Sequence, residues 1–152
     1  MTIIRHPGQC DVQKMFTVLN SNLDDYFAPD VINFFMMQWP KGQFIAVDIF
    51  GNVMGVLCGS RLDGSRASIS LLAVDSRYRG HGIGSQLIEE FKRSCFMEGR
   101  STVQLEVRTR NTRAISFYQR KGFTITEELP RFYSDGGDGY RMTMDLRRIT
   151  SS

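Results

Sequence analysis

Residues 71–88 read L-L-A-V-D-S-R-Y-R-G-H-G-I-G-S-Q-L-I, and the fold turns on them. An apolar strand ends at Val74. A short basic turn carries Arg77, Arg79, Gly80, Gly82 and Gly84, and an amphipathic helix follows. Glycine lets backbone N–H groups come close to a ligand, and a new helix N-terminus adds about half a positive charge. Such a strand, turn and helix make an anion site suited to a pyrophosphate. Spacing excludes two familiar phosphate loops. No Gly-Lys-Ser/Thr occurs, so the turn is not a P-loop. A G-x-G-x-x-G fingerprint begun at Gly80 meets Ser85, and one begun at Gly82 meets Leu87. The pattern present is R-x-x-G-x-G, Arg79 to Gly84.

Outward from this turn, the helix spans roughly Gly82 to Met97. Ile83, Leu87, Phe91 and Cys95 repeat every four residues along one face, and Gly99 stops it. Upstream lies a meander of Phe44–Asp48, Val53–Arg61 and Ser68–Val74, with turns at Gly51-Asn52 and Asp63-Gly64. Before it come a strand at Thr2–Arg5 and a helix over Asp11–Asn20 with Met15, Val18 and Leu19 on one face. The loop N-L-D-D-Y-F-A-P-D follows. A second helix, capped by Asp30 and holding Val31, Phe34, Phe35 and Gln38, ends before Pro40. Downstream, T-V-Q-L-E-V-R is a strand with Val103, Leu105 and Val107 on one side and Gln104, Glu106 and Arg108 on the other. A short helix over Thr112–Lys121 closes at Gly122, and strands at Phe123–Glu128 and Tyr140–Leu146 complete the order β-α-α-β-β-β-α-β-α-β-β. This is an α+β arrangement, a meander joined to helical crossovers.

The 152 residues suit one domain, expected over residues 1–147 with a tail at 148–152. A formal charge of +3 without long basic runs argues against nucleic acid. No stretch reads as a membrane span or a signal peptide, so a cytoplasmic location is expected. Cys10, Cys58 and Cys95 form no C-x-x-C pair, and His6 and His81 are the only histidines, so no metal is expected.

Residues 110–123, R-N-T-R-A-I-S-F-Y-Q-R-K-G-F, carry a second pattern: Asn111, Ala114, Phe117, Tyr118, Gly122 and Phe123 fall at N-x-x-A-x-x-[FL]-Y-x-x-x-G-F. Asn111 also reads as a helix cap, and the apolar members as core. With the R-x-x-G-x-G turn one helix and one strand upstream, the chain resembles the GCN5-related N-acetyltransferase (GNAT) superfamily. The resemblance implies a central, splayed, mixed sheet of about seven strands with four helices, and acetyl-CoA as cosubstrate. It implies that the pantetheine arm pairs with Leu72, Ala73 and Val74 as a surrogate strand. Backbone groups at Gly80, His81, Gly82, Ile83, Gly84 and Ser85 would take the pyrophosphate, helped by Arg77, Arg79 and Arg113. Asn111, Ala114 and Tyr118 would line the other side.

Residues 130–146, P-R-F-Y-S-D-G-G-D-G-Y-R-M-T-M-D-L, resemble the Y-Y-x-D-G-E-D-A-Y-x-M segment of the Ard-type N-terminal acetyltransferases, through Phe132, Tyr133, Asp135, Gly136, Asp138, Tyr140 and Met142. Ribosomal-protein alanine acetyltransferases are more distant relatives by this reading. The D-G-G-D-G spacing is not an EF-hand; it reads as a hairpin loop. N-L-D-D-Y resembles the family's L-P-E-N-Y, matching Asp24 and Tyr26. Leu23 replaces its proline and Asp24 its glutamate, and Ser68 stands where relatives carry histidine. The resemblance implies that Asp24, Tyr26, Tyr133 and Tyr140 meet a peptide N-terminus, with small first residues exposed after methionine removal or a broader tolerance both open, since Asp24 departs from the family's glutamate. A ribosome-anchoring auxiliary subunit and a monomeric or weakly dimeric state accompany that expectation.

Direct acetyl transfer to an α-amino group is the expected reaction. The N–H of Val74 or a neighbour would stabilise the oxyanion. An α-amino group titrates near 7.7–8.0, so modest base assistance suffices. Glu106 is the candidate base, acting through water; its alternative is an ion pair beside Arg108. Tyr118 is the candidate acid for the departing thiolate; its alternatives are holding the sulfur or packing the core. A small-molecule amine and a non-catalytic acyl-CoA-binding module are the competing functions.

Overall fold

The computed structural model describes residues 1–147. The strands are β1 (Ile3–Arg5), β2 (Gln43–Val47), β3 (Val53–Arg61), β4 (Arg66–Val74), β5 (Thr102–Arg108), β6 (Thr124–Leu129) and β7 (Gly139–Asp145). The helices are α1 (Val12–Asn22), α2 (Pro29–Gln38), α3 (Ile83–Met97) and α4 (Thr112–Arg120). The strands form one sheet in the order β1-β2-β3-β4-β5-β7-β6, in which only β4 and β5 pair in parallel. The expected mixed sheet and element order are both present.

The two-residue pleat of β2 sorts its side chains to two cores. Phe44 and Ala46 join the core under α3, with Leu87, Phe91 and Leu105; Ile45 and Val47 join the core under α1 and α2, with Met15, Leu19 and Ile32. Every β2 residue is buried, because helices cover both faces there. The face of β5 and β7 opposite α3 is polar instead, carrying Gln104, Glu106 and Arg141.

Three local expectations change. Asp30 does not cap α2: Ala28 holds that position and Pro29 is the first helical residue. Proline fits there because its fixed φ suits the first turn and its missing N–H has no helical partner to lose. Asp30 sits inside the first turn, where its charge still favours the helix dipole. Of the apolar residues on α2, Ile32 is buried, whereas Phe34 and Met37 are 61% and 84% exposed. Phe123 lies before β6 as a buried core residue. Arg147, the last residue of the expected domain, folds back on Asp145 through its N–H and guanidinium; the expected tail, residues 148–152, lies outside the described ones.

The placement of the site follows from one departure in register. β4 and β5 pair only at Arg66–Thr102, Ala67–Val103 and Ser68–Gln104, and then diverge. β3 follows β4 all the way to Val74. Between Cys58 and Gly59 the β3–β4 register shifts, so Ser70 is the extra residue of a bulge. Bulges bend a strand and increase its twist, and this one lies where β4 leaves β5. Buried Gln43 pins the opposite side, donating to the carbonyls of Trp39 and Gly59 and accepting from the Gly59 N–H.

Candidate active site

The parted strands leave two concavities that share a border. One, about 460 Å³, lies between the glycine turn, the first turn of α3, and α4. The other, about 230 Å³, lies between the α1–α2 loop, β4, β5 and the β6–β7 loop. Leu72, Asn111, Ala114 and Tyr118 line both. A larger hollow of about 670 Å³ near Lys92, Lys121 and Asp145 lies away from the parted strands and holds none of the expected residues.

The glycine turn is built for an anion. Gly80 and Gly82 take φ of +85° and +76°, a region costly for side chains with a Cβ. The first helical bond of α3 runs from Gln86 N–H to the Gly82 carbonyl, so the N–H groups of the preceding residues keep no intrahelical acceptor. A Cβ on Gly84 would lie 3.2 Å from Phe117, which shows how closely α3 and α4 approach. Arg79 donates to the Val74 carbonyl at 3.3 Å. Arg77 is engaged by Asp75, through a 3.0 Å ion pair and its own backbone N–H, so it braces the turn. Asn22, at the end of α1, accepts from the Ser76 N–H and ties that helix to the turn.

Most expected coenzyme residues line the first concavity: Leu72, Val74, Arg79, Gly80, Gly82, Ile83, Gly84, Ser85, Asn111, Ala114 and Tyr118, with Arg113. Ala73 and His81 do not. The pleat turns Ala73 into the core under α1, and His81 is exposed at the outside of the turn. Tyr78, Phe117 and Arg120 line the concavity and were not foreseen. Asn111 does cap α4, its Oδ1 accepting from Ala114 N–H, and that bond does not use its Nδ2.

On the other side, Asp24, Tyr133 and Glu106 line the second concavity. Tyr26 and Tyr140 are not among its lining residues: Tyr26 is 72% exposed with its ring edge on Phe16, and Tyr140 packs against the main core. The residues missed are Asp25, Arg108, Leu23 and Phe27. Glu106 is ion-paired, but with Arg141, opposite it on β7, and not with Arg108. Arg141 Nε at 3.0 Å and Gln104 Nε2 at 3.2 Å both bond to its Oε2. Arg108 instead turns to Asp135 and Tyr133. Burial pushes the Tyr118 hydroxyl up to about 12. It likewise pushes the Cys58 and Cys95 thiols up to about 12, so neither offers a thiolate at neutral pH.

Residues 12–123 match the Acetyltransferase (GNAT) family. N-alpha-acetyltransferase 30 of Schizosaccharomyces pombe is 30% identical over 147 residues, covering 93% of this chain and 95% of that protein. The crystal structure of Ard1 from Thermoplasma volcanium superposes with a TM-score of 0.90 at 34% identity, covering 95% of this chain and 97% of that one. A NatC complex bound to Gag peptide and CoA shares the fold, with a TM-score of 0.87 at 24% identity over 95% of this chain and 98% of that one.

Proposed function

Since the chain belongs to the Acetyltransferase (GNAT) family and is an acetyl-CoA-dependent N-acetyltransferase, we propose that its acceptor is the α-amino group of a protein or peptide N-terminus, acetylated by direct transfer in a ternary complex. The observation that carries this reading is the common border of the two concavities at Leu72, Asn111, Ala114 and Tyr118. A carrier entering from the glycine turn and a peptide entering between the two loops would meet at that border.

Acetyl-CoA brings the activated acetyl group; the chain supplies the surfaces. The α3 N-terminus and the glycine turn hold the diphosphate. The β4 edge beyond Ser68, freed from β5, offers backbone groups to the amide-rich arm. Val74 N–H or a neighbour faces the developing oxyanion. Glu106 is the base: Oε2 is occupied by Arg141 and Gln104, and Oε1 is the oxygen left for an ordered water at the amine. Tyr118 donates a hydrogen bond to the departing sulfur. Full proton transfer from a hydroxyl held near 12 to a thiolate whose acid titrates near 8.5 is more than a thousandfold uphill. Hydrogen bonding needs no such transfer: the neutral amine attacks, its nitrogen becomes cationic as the C–N bond forms, and the proton that nitrogen then sheds is the one that neutralises the departing thiolate.

Leu23, Phe27, Ile69 and Leu71 give the acceptor concavity an apolar lining, which favours an apolar first residue, a preference the sequence left open. The exposed Phe34 and Met37 on α2 support a docking surface for an auxiliary subunit. The deciding experiment incubates the chain with labelled acetyl-CoA and peptides beginning Met-Leu, Ala or Ser, beside free polyamines. Peptides are acetylated, Met-Leu fastest, and polyamines are not. Labelling of polyamines alone would overturn the reading.

A further inference from the structure

The geometry points to Arg108 as a positioning residue that sets the distance between the two substrate-side loops, gripping one rigidly and tethering the other by charge. This rests on the peptide reading above.

Arg108 ends β5, and its side chain is only 11% exposed. Its Nη1 lies 3.0 Å from each oxygen of Asp135, and its guanidinium stacks 4.1 Å from the centre of the Tyr133 ring. A Cβ added at Gly137 would come within 2.6 Å of Nη1, so the loop backbone itself packs on the guanidinium. Tyr133 N–H donates to the Gly137 carbonyl, and Thr109 N–H donates to the Asp138 carbonyl. The β6–β7 loop is therefore fastened to the end of β5 by side chain and backbone together.

The α1–α2 loop is held differently. Arg108 Nη2 stands 3.8 Å from Asp25, beyond hydrogen-bonding distance. A second 3.8 Å pair, Asp24 with Arg110, joins two side chains more than two-thirds exposed. One guanidinium thus serves both walls of the acceptor concavity, with Nη1 bonded to both oxygens of Asp135 on one and Nη2 a counter-ion toward Asp25 on the other. A planar group that stacks on a ring while its two terminal nitrogens face different walls has no lysine equivalent. The coenzyme side is built from α3 and α4, so it does not depend on this contact.

The test is steady-state kinetics with peptide and acetyl-CoA varied separately, plus calorimetric titration with CoA, on Arg108→Met, Arg108→Lys, Asp135→Asn and Asp25→Asn. Arg108→Met raises the peptide KM tenfold or more while the acetyl-CoA KM and CoA affinity stay within twofold. Arg108→Lys keeps one charge but loses the second nitrogen and the stack, so its peptide KM stays at least fivefold raised. Asp25→Asn moves the peptide KM less than threefold, and high salt abolishes the difference. A peptide KM within twofold of the unaltered chain in Arg108→Met, or an acetyl-CoA KM rising in parallel, overturns the proposal. If Arg108→Met does not fold, Asp135→Asn on its exposed loop decides: a raised peptide KM supports the role and an unmoved one overturns it. An unaltered chain that acetylates no peptide would instead sink the underlying peptide reading.

Discussion

The seam between β4 and β5 has two ends built on different principles. At its paired end, backbone groups do the joining. Three register pairs hold the strands, Ser101 N–H donates to the Ser65 carbonyl, and Leu146 N–H donates to that of Ser101. Arg100 Nη1 collects the carbonyls of Leu62, Gly64 and Arg66 within 3.2 Å. Fully buried Trp39 lies beside it, its indole N–H on Glu98, its ring against Phe91 and faced by the guanidinium groups of Arg61 and Arg100. At the parted end no ladder exists, and exposed carboxylates of two loops meet Arg108 and Arg110. Exposed pairs contribute little stability and adjust at little cost, while buried aromatic packing contributes much. The paired end is therefore where the sheet gains stability, and the parted end is where the proposed chemistry lies.

Three substitutions separate the two ends. Trp39→Ala is the largest in effect, costing about 3–5 kcal/mol of stability and on the order of 10 °C in Tm, read by denaturant and thermal unfolding. Its folded fraction keeps kcat within about twofold, as an injury confined to the paired end requires; a kcat collapse in fully folded protein would break the division. Tyr118→Phe does the reverse. It lowers kcat roughly ten- to a hundredfold, the worth of one hydrogen bond to a developing charge, with acetyl-CoA affinity nearly unchanged. Unchanged kcat would reduce Tyr118 to packing. Glu106→Gln is milder and pH-dependent. The acceptor amine is mostly protonated below about pH 7.7, so the loss is greatest in acid and shrinks as pH rises through that value. A loss equal at all pH values would make Glu106 a binding group for the peptide instead of its base.

Sequence reached the coenzyme side of this molecule further than the acceptor side, for a physical reason. The glycine turn, the four-residue repeat of α3 and the alternation of β5 are local signals, each written within about fifteen residues. Their outcome matches the structure: Ile83, Leu87, Phe91 and Cys95 are all buried, as are Val103, Leu105 and Val107. The acceptor side is assembled from distant segments. Arg141 reaches Glu106 only through the β5–β7 register, 35 residues away, and Asp25 meets Arg108 across three intervening strands and two helices of chain. Nothing in either neighbourhood announces its partner. Asp30 does not cap α2 because the adjacent proline makes the better first residue of the helix, and Ala73 offers the cleft only its backbone, since consecutive strand side chains face opposite sides.

Gly84 has a reach beyond its own turn. Because Phe117 stands against the space where a side chain would be, this position sets the separation of α3 and α4, and Tyr118 is the next residue along. Even a methyl group there would oblige the Phe117 ring to give by a few tenths of an ångström. On the proposed reading, the anchoring of the carrier's distal phosphates and the seating of its reactive tip are thus gauged by the same missing atom.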